Sequence, residues 1–431
     1  MKKLIPFLAL LIVPFFSFGM SNGAPAIGGI PIDFFIFGLT LVGVAVFSTK
    51  TMYVALIGLT ATLLIKFFGY PDFSLAGHIL GSAAKEGEWR TLLNLLGLLF
   101  GFAILAVHFE ESNVPKILPK FLPEGWKGGF VLLTLILVIS SFLDNIAAAM
   151  IGGAIAMIVF NGKVHIGFLA AIVAASNAGG AGSVVGDTTT TLMWIDGVAP
   201  LDVTHAFIGS FVALLIFGYF ASKQQDKYQT FIKPTVDVKI NYKHLSVMIL
   251  ILALAIVTNY TIDFPAVGVW IAILIGALYV KTPWGEIPKA VQGTIFLMAL
   301  VLTASLMPVD SLPAASWASA FILGFVSSVF DNIPLTKMCL EQGGFDWGVL
   351  AFSVGFGGSM IWFGSSAGVA LSNMYPEAKS VVRYVKNGWH VTLAYIVGFF
   401  VMLAIAGWNP HAPHKKVSTE AEKQATEVIN K

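Results

Sequence analysis

The chain has 431 residues, of which 57% are hydrophobic and 11% charged, against about 25% charged residues in an ordinary soluble domain. With a mean hydropathy of +0.84, this composition excludes a soluble protein and predicts a polytopic membrane protein with roughly ten to twelve crossings. The net charge of +2 is near neutral, and the sequence contains no basic patch typical of nucleic-acid binding. The single cysteine, Cys339, excludes a disulfide framework within the chain and a multi-cysteine metal site. Because the apolar runs are continuous and do not alternate, the sequence predicts an all-α fold.

The N-terminus has the pattern of a signal peptide. Lys2 and Lys3 precede an apolar run over 4–16, and residues 24–26 read Ala-Pro-Ala, a small-x-small cleavage site. Residues 1–26 are therefore expected to be a signal peptide. The alternative is that they form the first membrane helix, with its two prolines tolerated.

Apolar segments follow along the rest of the chain, in two groups separated by a polar break. The first group lies at 32–48, 52–68, 92–107, 130–160, 166–175 and 206–221. The second group lies at 245–258, 267–280, 294–306, 318–340, 347–363 and 391–408.

The break over residues 222–243 carries five lysines against two aspartates, which predicts a basic cytoplasmic linker. It separates a first transmembrane repeat at 27–221 from a second at 244–408. Residues 409–431 form a polar tail that alternates lysine with glutamate and is expected to be solvated or disordered.

The sequence Ser-Ser-x-x-Asp-Asn-Ile occurs once in each half, at 140–146 and 327–333. An ionisable residue in hydrocarbon is costly and marks a functional site, and matched motifs in two halves are typical of transporters built from repeats. The first copy lies within the segment 129–160, which is too long for one crossing and too short for two. A re-entrant hairpin with its tip at the motif fits this length.

Each half continues with Gly-Gly-x5-Gly, at 179–186 and 357–364. Because glycine permits positive φ, we expect the helix to unwind there and to expose carbonyl groups to a cation and N–H groups to an anion. The next residue is Asp187 in the first half and Ser365 in the second, each at the N-cap of a new half-helix. The expected site is therefore lopsided in charge, with the ion on the first-half side.

These patterns indicate a set of candidate ion- or substrate-binding residues and a set of helix-break glycines. The binding residues are Ser141, Asp144, Asn145, Asn177, Asp187, Thr188, Ser328, Asp331, Asn332, Ser365 and Ser366, with Na⁺ expected at Asp144, Asp187 and Asp331. The glycines are Gly179, Gly180, Gly186, Gly357, Gly358 and Gly364. The simpler alternative is that the aspartates only cap helices and that the hydroxyls bond back to their own helices.

Lys337 and several histidines allow more than one interpretation. Lys337 either pairs with a carboxylate or extends its ammonium group to the membrane surface. His78, His108, His205 and His390 lie near segment ends, where an interfacial position is expected rather than a catalytic role.

The order of these motifs resembles the NhaD-type sodium/proton antiporters of the ion transporter superfamily, which also includes citrate and dicarboxylate carriers and arsenite permeases. The resemblance covers residues 30–408, and its most specific part is the block 176–194, which contains Asn-Ala-Gly-Gly-x5-Gly-Asp and four threonines before a tryptophan. Where the family commonly has Gly-Gly-Ala-Trp-Ser-Pro-Ile-Gly-Asp, this chain has Gly182 and Val184 in place of the tryptophan and the proline. That departure concerns ion specificity rather than the fold.

The resemblance implies two inverted halves, each with a re-entrant hairpin and a broken helix. It also implies a homodimer in the inner (plasma) membrane, with scaffold and transport domains and an elevator-like displacement. Apart from the lipid bilayer and the second subunit, no partner and no cofactor are expected, because Na⁺ and H⁺ are the transported ions.

Sodium/proton exchange agrees with the chemistry of the nominated residues. Desolvation raises the pKa of a carboxylate, so that a proton can compete with Na⁺, and hydroxyl and carbonyl oxygens are suitable ligands for this hard cation. Cytoplasmic Na⁺ or Li⁺ would then exchange for H⁺ at one site that faces each side in turn.

Two other functions remain open from the sequence. A di- or tricarboxylate carrier of the same superfamily would use the helix N-termini to bind its substrate, although three acidic groups would repel a polyanion. An intramembrane aspartyl protease would need Gly-x-Gly-Asp, and Val184 stands at the first of these positions. The chain is therefore not expected to be an enzyme.

Overall fold

The computed structural model describes residues 19–21, 24–47, 50–82, 85–233 and 238–411. Most of the predicted signal peptide and all of the tail beyond residue 411 lie outside the described residues. The proposed cleavage site falls on a strand, β2, in a small antiparallel sheet. The strands are β1 (Gly19–Ser21), β2 (Ala24–Ile27) and β3 (Ile30–Pro31), with a second pair formed by β4 (Gly81–Ser82) and β5 (Lys85–Glu86).

Helices make up nearly all of the rest. The first half contains α1 (Ile32–Val46), α2 (Thr51–Gly69), α3 (Leu75–Leu80), α4 (Trp89–Glu111), α5 (Val114–Ile117), α6 (Trp126–Ser140), α7 (Asn145–Val159), α8 (Ile166–Ala181), α9 (Thr188–Ile195), α10 (Pro200–Val203) and α11 (Ala206–Tyr228). The second contains α12 (Tyr242–Ile262), α13 (Pro265–Ala277), α14 (Glu286–Ser305), α15 (Trp317–Ser327), α16 (Asn332–Gln342), α17 (Trp347–Ala351) with the π-helix Phe352–Phe356, α18 (Ser366–Met374), α19 (Val381–Asn387) and α20 (Trp389–Ala406). Short 3₁₀ turns lie at Leu118–Phe121, Val309–Ser311 and Pro376–Lys379.

Six helices among the described residues are long and apolar enough to cross a membrane, namely α2, α4, α11, α12, α14 and α20. An α-helix satisfies all its interior backbone groups, which is what a bilayer requires. Together with the shorter apolar helices, these six confirm the predicted all-α polytopic membrane fold. The helix α11 continues through Tyr228, so the first residues of the predicted linker form its last turns.

Both Ser-Ser-x-x-Asp-Asn motifs lie at the tips of helical hairpins. In the first hairpin, α6 and α7 have 15 residues each, or about 22 Å, which is shorter than the hydrocarbon core of about 30 Å. In the second, α15 and α16 have 11 residues each, or about 16 Å. Neither pair of arms is long enough to cross the bilayer twice, which agrees with the predicted re-entrant geometry.

Both predicted helix breaks are present as well. The helix α8 ends at Ala181 and α9 begins at Thr188, while the helical run of α17 and its π-turn is separated from α18 by a non-helical stretch that ends at Ser365. Each half therefore has the same order of hairpin and broken helix. The inverted relation of the halves stays a prediction.

The helices pack in two groups. A peripheral group consists of α1, α2, α4, α12, α13 and α14, which pack on one another in sequence-distant pairs such as α2 with α14 and α4 with α13. A central group consists of the two hairpins, the two broken helices, α11 and α20. The groups meet where α14 packs on α16 and where α4 packs on α9. The hairpin tips and helix breaks all belong to the central group.

Candidate functional site

The two hairpin aspartates make the same pair of contacts in each half. Asp144 caps α7, where its Oδ1 accepts a hydrogen bond from the Ile146 N–H at 2.9 Å, and its Oδ2 accepts one from the Thr188 hydroxyl at 3.2 Å. Asp144 can therefore cap a helix and also belong to an ion-binding site, because one carboxylate oxygen caps the hairpin helix while the other faces the helix break.

In the second half, Asp331 repeats this arrangement. Its Oδ1 accepts from the Ile333 N–H at 3.0 Å and its Oδ2 accepts from the Ser366 hydroxyl at 3.1 Å. Thr188 and Ser366 are each the first residue of the helix after the break. The two halves thus repeat both hydrogen bonds of the hairpin aspartate, oxygen for oxygen.

Asp187 lies at the N-cap of α9 and is 2% exposed. Its Oδ1 accepts from the Thr189 N–H at 2.8 Å, and its Oδ2 accepts from the Asn145 side-chain amide at 2.9 Å. A Cβ placed on Gly355 would lie 3.7 Å from the same Oδ2, so a helix of the second half passes directly beside this carboxylate.

Asn177 connects the two halves. Its oxygen accepts from the Asn145 amide at 3.0 Å, while its own amide donates to the hydroxyls of Ser359 at 2.9 Å and Ser365 at 3.1 Å. Thr188, which bonds Asp144, follows Asp187, and Ser366, which bonds Asp331, follows Ser365. Through these adjacent residues the polar contacts of the three aspartates form one set across both halves, which we call the aspartate network.

The network is asymmetric at one matched pair. Asn145 and Asn332 are both buried and are both the first residue of the second hairpin helix. The Asn145 amide donates to Asp187, whereas the Asn332 amide nitrogen has no hydrogen-bond partner among the described residues. The second half has Ser365 at the position of Asp187, where it caps α18 by accepting from the Gly368 N–H at 3.2 Å. The site therefore has a carboxylate on the first-half side where the second half has only a hydroxyl, as the sequence predicted.

The hairpin serines bond backbone carbonyls rather than the aspartates. The Ser141 hydroxyl donates to the carbonyls of Leu137 at 3.1 Å and Gly179 at 3.2 Å, and the Ser328 hydroxyl donates to the Phe325 carbonyl at 2.7 Å. The bonds to Leu137 and Phe325 return to the hydroxyls' own helices, as the simpler interpretation expected, whereas the bond to Gly179 joins the first hairpin to α8.

The predicted helix-break glycines need a different explanation from the one the sequence suggested. None of the six has positive φ, and Gly179 and Gly180 lie within the last turn of α8 rather than in the break. A Cβ on Gly179 would lie 2.0 Å from the Leu137 carbonyl oxygen, and one on Gly186 would lie 2.1 Å from that of Ser140. These glycines let the hairpin backbone lie against the broken helix.

The second half repeats this close contact. A Cβ on Gly357 would lie 2.4 Å from the Gly324 carbonyl oxygen, and one on Gly364 would lie 2.5 Å from that of Ser328. Gly180 and Gly358 instead face the residues just before the next half-helix, with contacts of 2.7 Å each. The sequence correctly locates the glycines, but their role is contact between backbones and not a left-handed conformation.

Lys337 is buried and pairs with carboxylates, which decides between its two interpretations. Its ammonium nitrogen lies 3.0 Å from a Glu88 oxygen, 3.5 Å from Asp196 and 2.7 Å from Glu341. Asp196 caps the C-terminal end of α9, the helix whose N-terminal end carries Asp187. The only sequence signal for this cluster is the four-residue spacing of Lys337 and Glu341, because Glu88 comes from the distant start of α4.

Ser359 is a site residue that the sequence reasoning missed. It follows Gly357-Gly358 in the second repeat, where the first repeat has Ala181. That difference between otherwise matching repeats is the signal that could have identified it.

No protein-family model matches the chain. Among curated proteins, it is similar to sodium/proton antiporter 1 of Arabidopsis thaliana, with 25% identity over 79% of this chain and 66% of that protein. It is also similar to the Na⁺/H⁺ antiporters NhaD of Vibrio cholerae serotype O1, with 25% identity over 62% of this chain and 68% of the relative, and of Alkalimonas amylolytica, with 24% identity over 63% and 67%.

The matched region thus spans about two thirds of the length of these relatives, and slightly less for the Arabidopsis protein. Their names are those of transporters, which confirms that the chain is not an enzyme. Together with the apolar helices, they also confirm a multi-pass membrane protein. The chain is a homologue of the NhaD-type sodium/proton antiporters.

Proposed function

We propose that this chain is a secondary active transporter that exchanges cytoplasmic Na⁺ or Li⁺ for H⁺. The observation that carries the proposal is the polar network that joins Asp144, Asp187 and Asp331 across both halves. The names of the relatives support the same ion pair. A single buried site of carboxylate, amide and hydroxyl oxygens can hold either Na⁺ or protons, and competition between them gives exchange.

Asp187 is proposed as the central ligand. It is the only one of the three aspartates whose matched position in the other half lacks a carboxylate, so it makes the site more negative on the first-half side. Its Oδ2 bonds the Asn145 amide, which holds the carboxylate towards the centre of the network. A cation bound there would also be attracted by the Oδ2 atom of a hairpin aspartate, which faces the helix break.

Alternating access is proposed to occur by an elevator-like displacement of the central group against the peripheral group. The two groups meet at α14 with α16 and at α4 with α9, and the site residues lie within the central group. Movement of that group as a body would carry the whole site. We further propose a homodimer in the inner (plasma) membrane, with the peripheral group as its fixed part.

A carboxylate carrier of the same superfamily is the second candidate, and one observation favours it. The buried amide of Asn332 is a hydrogen-bond donor without an acceptor among the described residues, and an anionic substrate would provide one. The three aspartates oppose it, because they would repel a polyanion in a site of low dielectric.

Everted membrane vesicles with a pH-sensitive dye test the proposal. Asp144→Asn, Asp187→Asn and Asp331→Asn should each lower Na⁺-dependent proton release about tenfold or more, the equivalent of about 1.4 kcal/mol in ion binding. Asp310→Asn is the matched control, because Asp310 is exposed and outside the network. Full proton release in all three site variants would contradict the proposal.

Proteoliposomes loaded with the wild-type chain separate the two candidates. Labelled citrate and succinate should not accumulate under an inward Na⁺ gradient, whereas Na⁺ and Li⁺ should each exchange for protons. Saturable citrate uptake that Asn332→Ala abolishes would favour the carrier instead.

A further inference from the structure

A cluster of two histidines and a glutamate lies away from the aspartate network, at the end of α4 and the start of α12. His108 and Glu111 are three residues apart on α4 and so share one face of that helix, and His244 lies in the first turn of α12. His108 lies in the last turn of α4, near the helix end, and its side chain is fully buried within the protein. The cluster therefore joins a helix of the first half to a helix of the second.

The three side chains point at one another. The Nδ1 atoms of His108 and His244 lie 3.0 Å apart, and the same His244 nitrogen lies 3.0 Å from a Glu111 carboxylate oxygen. Two imidazole nitrogens at this distance cannot both carry a proton, and two bare lone pairs would repel each other. Either one ring is in the Nδ1–H tautomer and donates to the other, or a metal ion lies between the two nitrogens.

The donor set and its spacing suit a transition metal. All three ligand atoms lie within 4.8 Å of one another, which is a span that one ion at about 2.0–2.2 Å from each ligand can bridge with small adjustments. Histidine nitrogen with one carboxylate is a typical ligand set for Zn²⁺. The carbonyl end of α4 also favours a positive charge at this position.

The cluster is held in place and is accessible. The Asn241 N–H donates to the Ser112 carbonyl at 2.8 Å and the Asn113 amide donates to the Lys239 carbonyl at 3.2 Å, so the start of α12 is fixed against the end of α4. The Glu111 side chain is half exposed, which leaves a route for an ion from the aqueous side. Lys116 lines the same cavity as Glu110 and Glu111, and its ammonium group donates to the Asn113 side-chain oxygen at 3.0 Å.

We propose that His108, His244 and Glu111 bind a divalent transition-metal ion that fastens α4 to α12 on the side of the linker. This site is separate from the aspartate network and does not depend on the exchange proposed for it. It would stabilise the peripheral group, which joins the two halves of the chain, without a role for the metal in transport itself.

Equilibrium dialysis of the purified full chain against Zn²⁺ at pH 7.5, with any affinity tag removed, tests this inference. One Zn²⁺ per chain is expected, and His244→Ala and Glu111→Gln should each weaken binding about tenfold or more. His411→Ala is the matched control, because His411 also pairs with a carboxylate, that of Asp202 at 2.9 Å, but has no second histidine among the described residues. Its Zn²⁺ content should equal that of the wild type.

Two further readouts exclude a merely structural effect of the substitutions. Zn²⁺ should raise the unfolding temperature of the wild type and of His411→Ala but not of His244→Ala. Binding should also weaken as the pH falls, because protons compete with the metal ion for the ligating imidazole nitrogens. Wild-type protein that holds no stoichiometric Zn²⁺, or Zn²⁺ content that His244→Ala and Glu111→Gln leave unchanged, would overturn the proposal.

Discussion

Replacing Asn145 with alanine should destabilise the protein far more than the same change at Asn332. The two residues are matched by the repeat, begin equivalent helices and are 4% and 2% exposed. They differ in their contacts, because the Asn145 amide donates to Asp187 and to Asn177, while the Asn332 amide nitrogen has no partner among the described residues. Each variant is therefore the other's control.

The expected difference follows from these contacts. A hydrogen bond to an ionised carboxylate contributes about 1.5–3 kcal/mol, and a neutral side-chain bond within a membrane protein about 0.6 kcal/mol. Asn145→Ala should therefore cost roughly 2–3.5 kcal/mol. Asn332→Ala removes an unpaired buried donor and gains a few tenths of a kcal/mol in helix propensity, so its cost should stay below about 1 kcal/mol.

Unfolding by denaturing detergent, followed by tryptophan fluorescence, measures both free energies. A double-mutant cycle of Asn145→Ala with Asp187→Asn should give a coupling energy above about 1 kcal/mol, well outside the additivity range of about 0.5 kcal/mol. Equal losses in the two asparagine variants, or a coupling energy within that range, would refute the reasoning.

Two other substitutions test the packing around the site. Lys337→Met leaves three carboxylates without their buried cation and should cost about 3–5 kcal/mol, whereas Lys289→Met, at an exposed ion pair, should cost less than about 1 kcal/mol in the same unfolding assay. Gly179→Ala places a Cβ 2.0 Å from a hairpin carbonyl and should lower both the unfolding temperature and the exchange rate, while Gly293→Ala, with no atom within 4 Å, should change neither. Wild-type behaviour of Lys337→Met or Gly179→Ala would contradict the contacts described for them.

The hairpins and breaks could be predicted because their signals are local. An aspartate inside a long apolar segment has a high free-energy cost in the bilayer, so its presence indicates a site. The second copy of the motif then predicts the equivalent hairpin tip in the other half. Asp144 and Asp331 accordingly lie where the motif suggested. The role of the glycines could not be inferred in the same way. A missing side chain permits both positive φ and close backbone contact, and only the neighbouring carbonyl distinguishes them.

Contacts between segments that are distant in the chain could not be predicted from the sequence. Asn177 bonds Ser359, and Lys337 pairs with Glu88, across 182 and 249 residues respectively. No periodicity or spacing links such residues, since their proximity depends on how the two halves pack. The same holds for His108 and His244, which come together only through the contact of α4 with α12.

Calorimetry of Na⁺ binding to the purified protein tests the central claim most directly. Titrations in buffers of different ionisation enthalpy give the number of protons released per Na⁺ bound. If Na⁺ and H⁺ compete for the network around Asp187, the wild type should release protons on binding, and Asp187→Asn should lose both the binding and the release. Sodium binding without proton release, or unchanged binding in Asp187→Asn, would contradict the account.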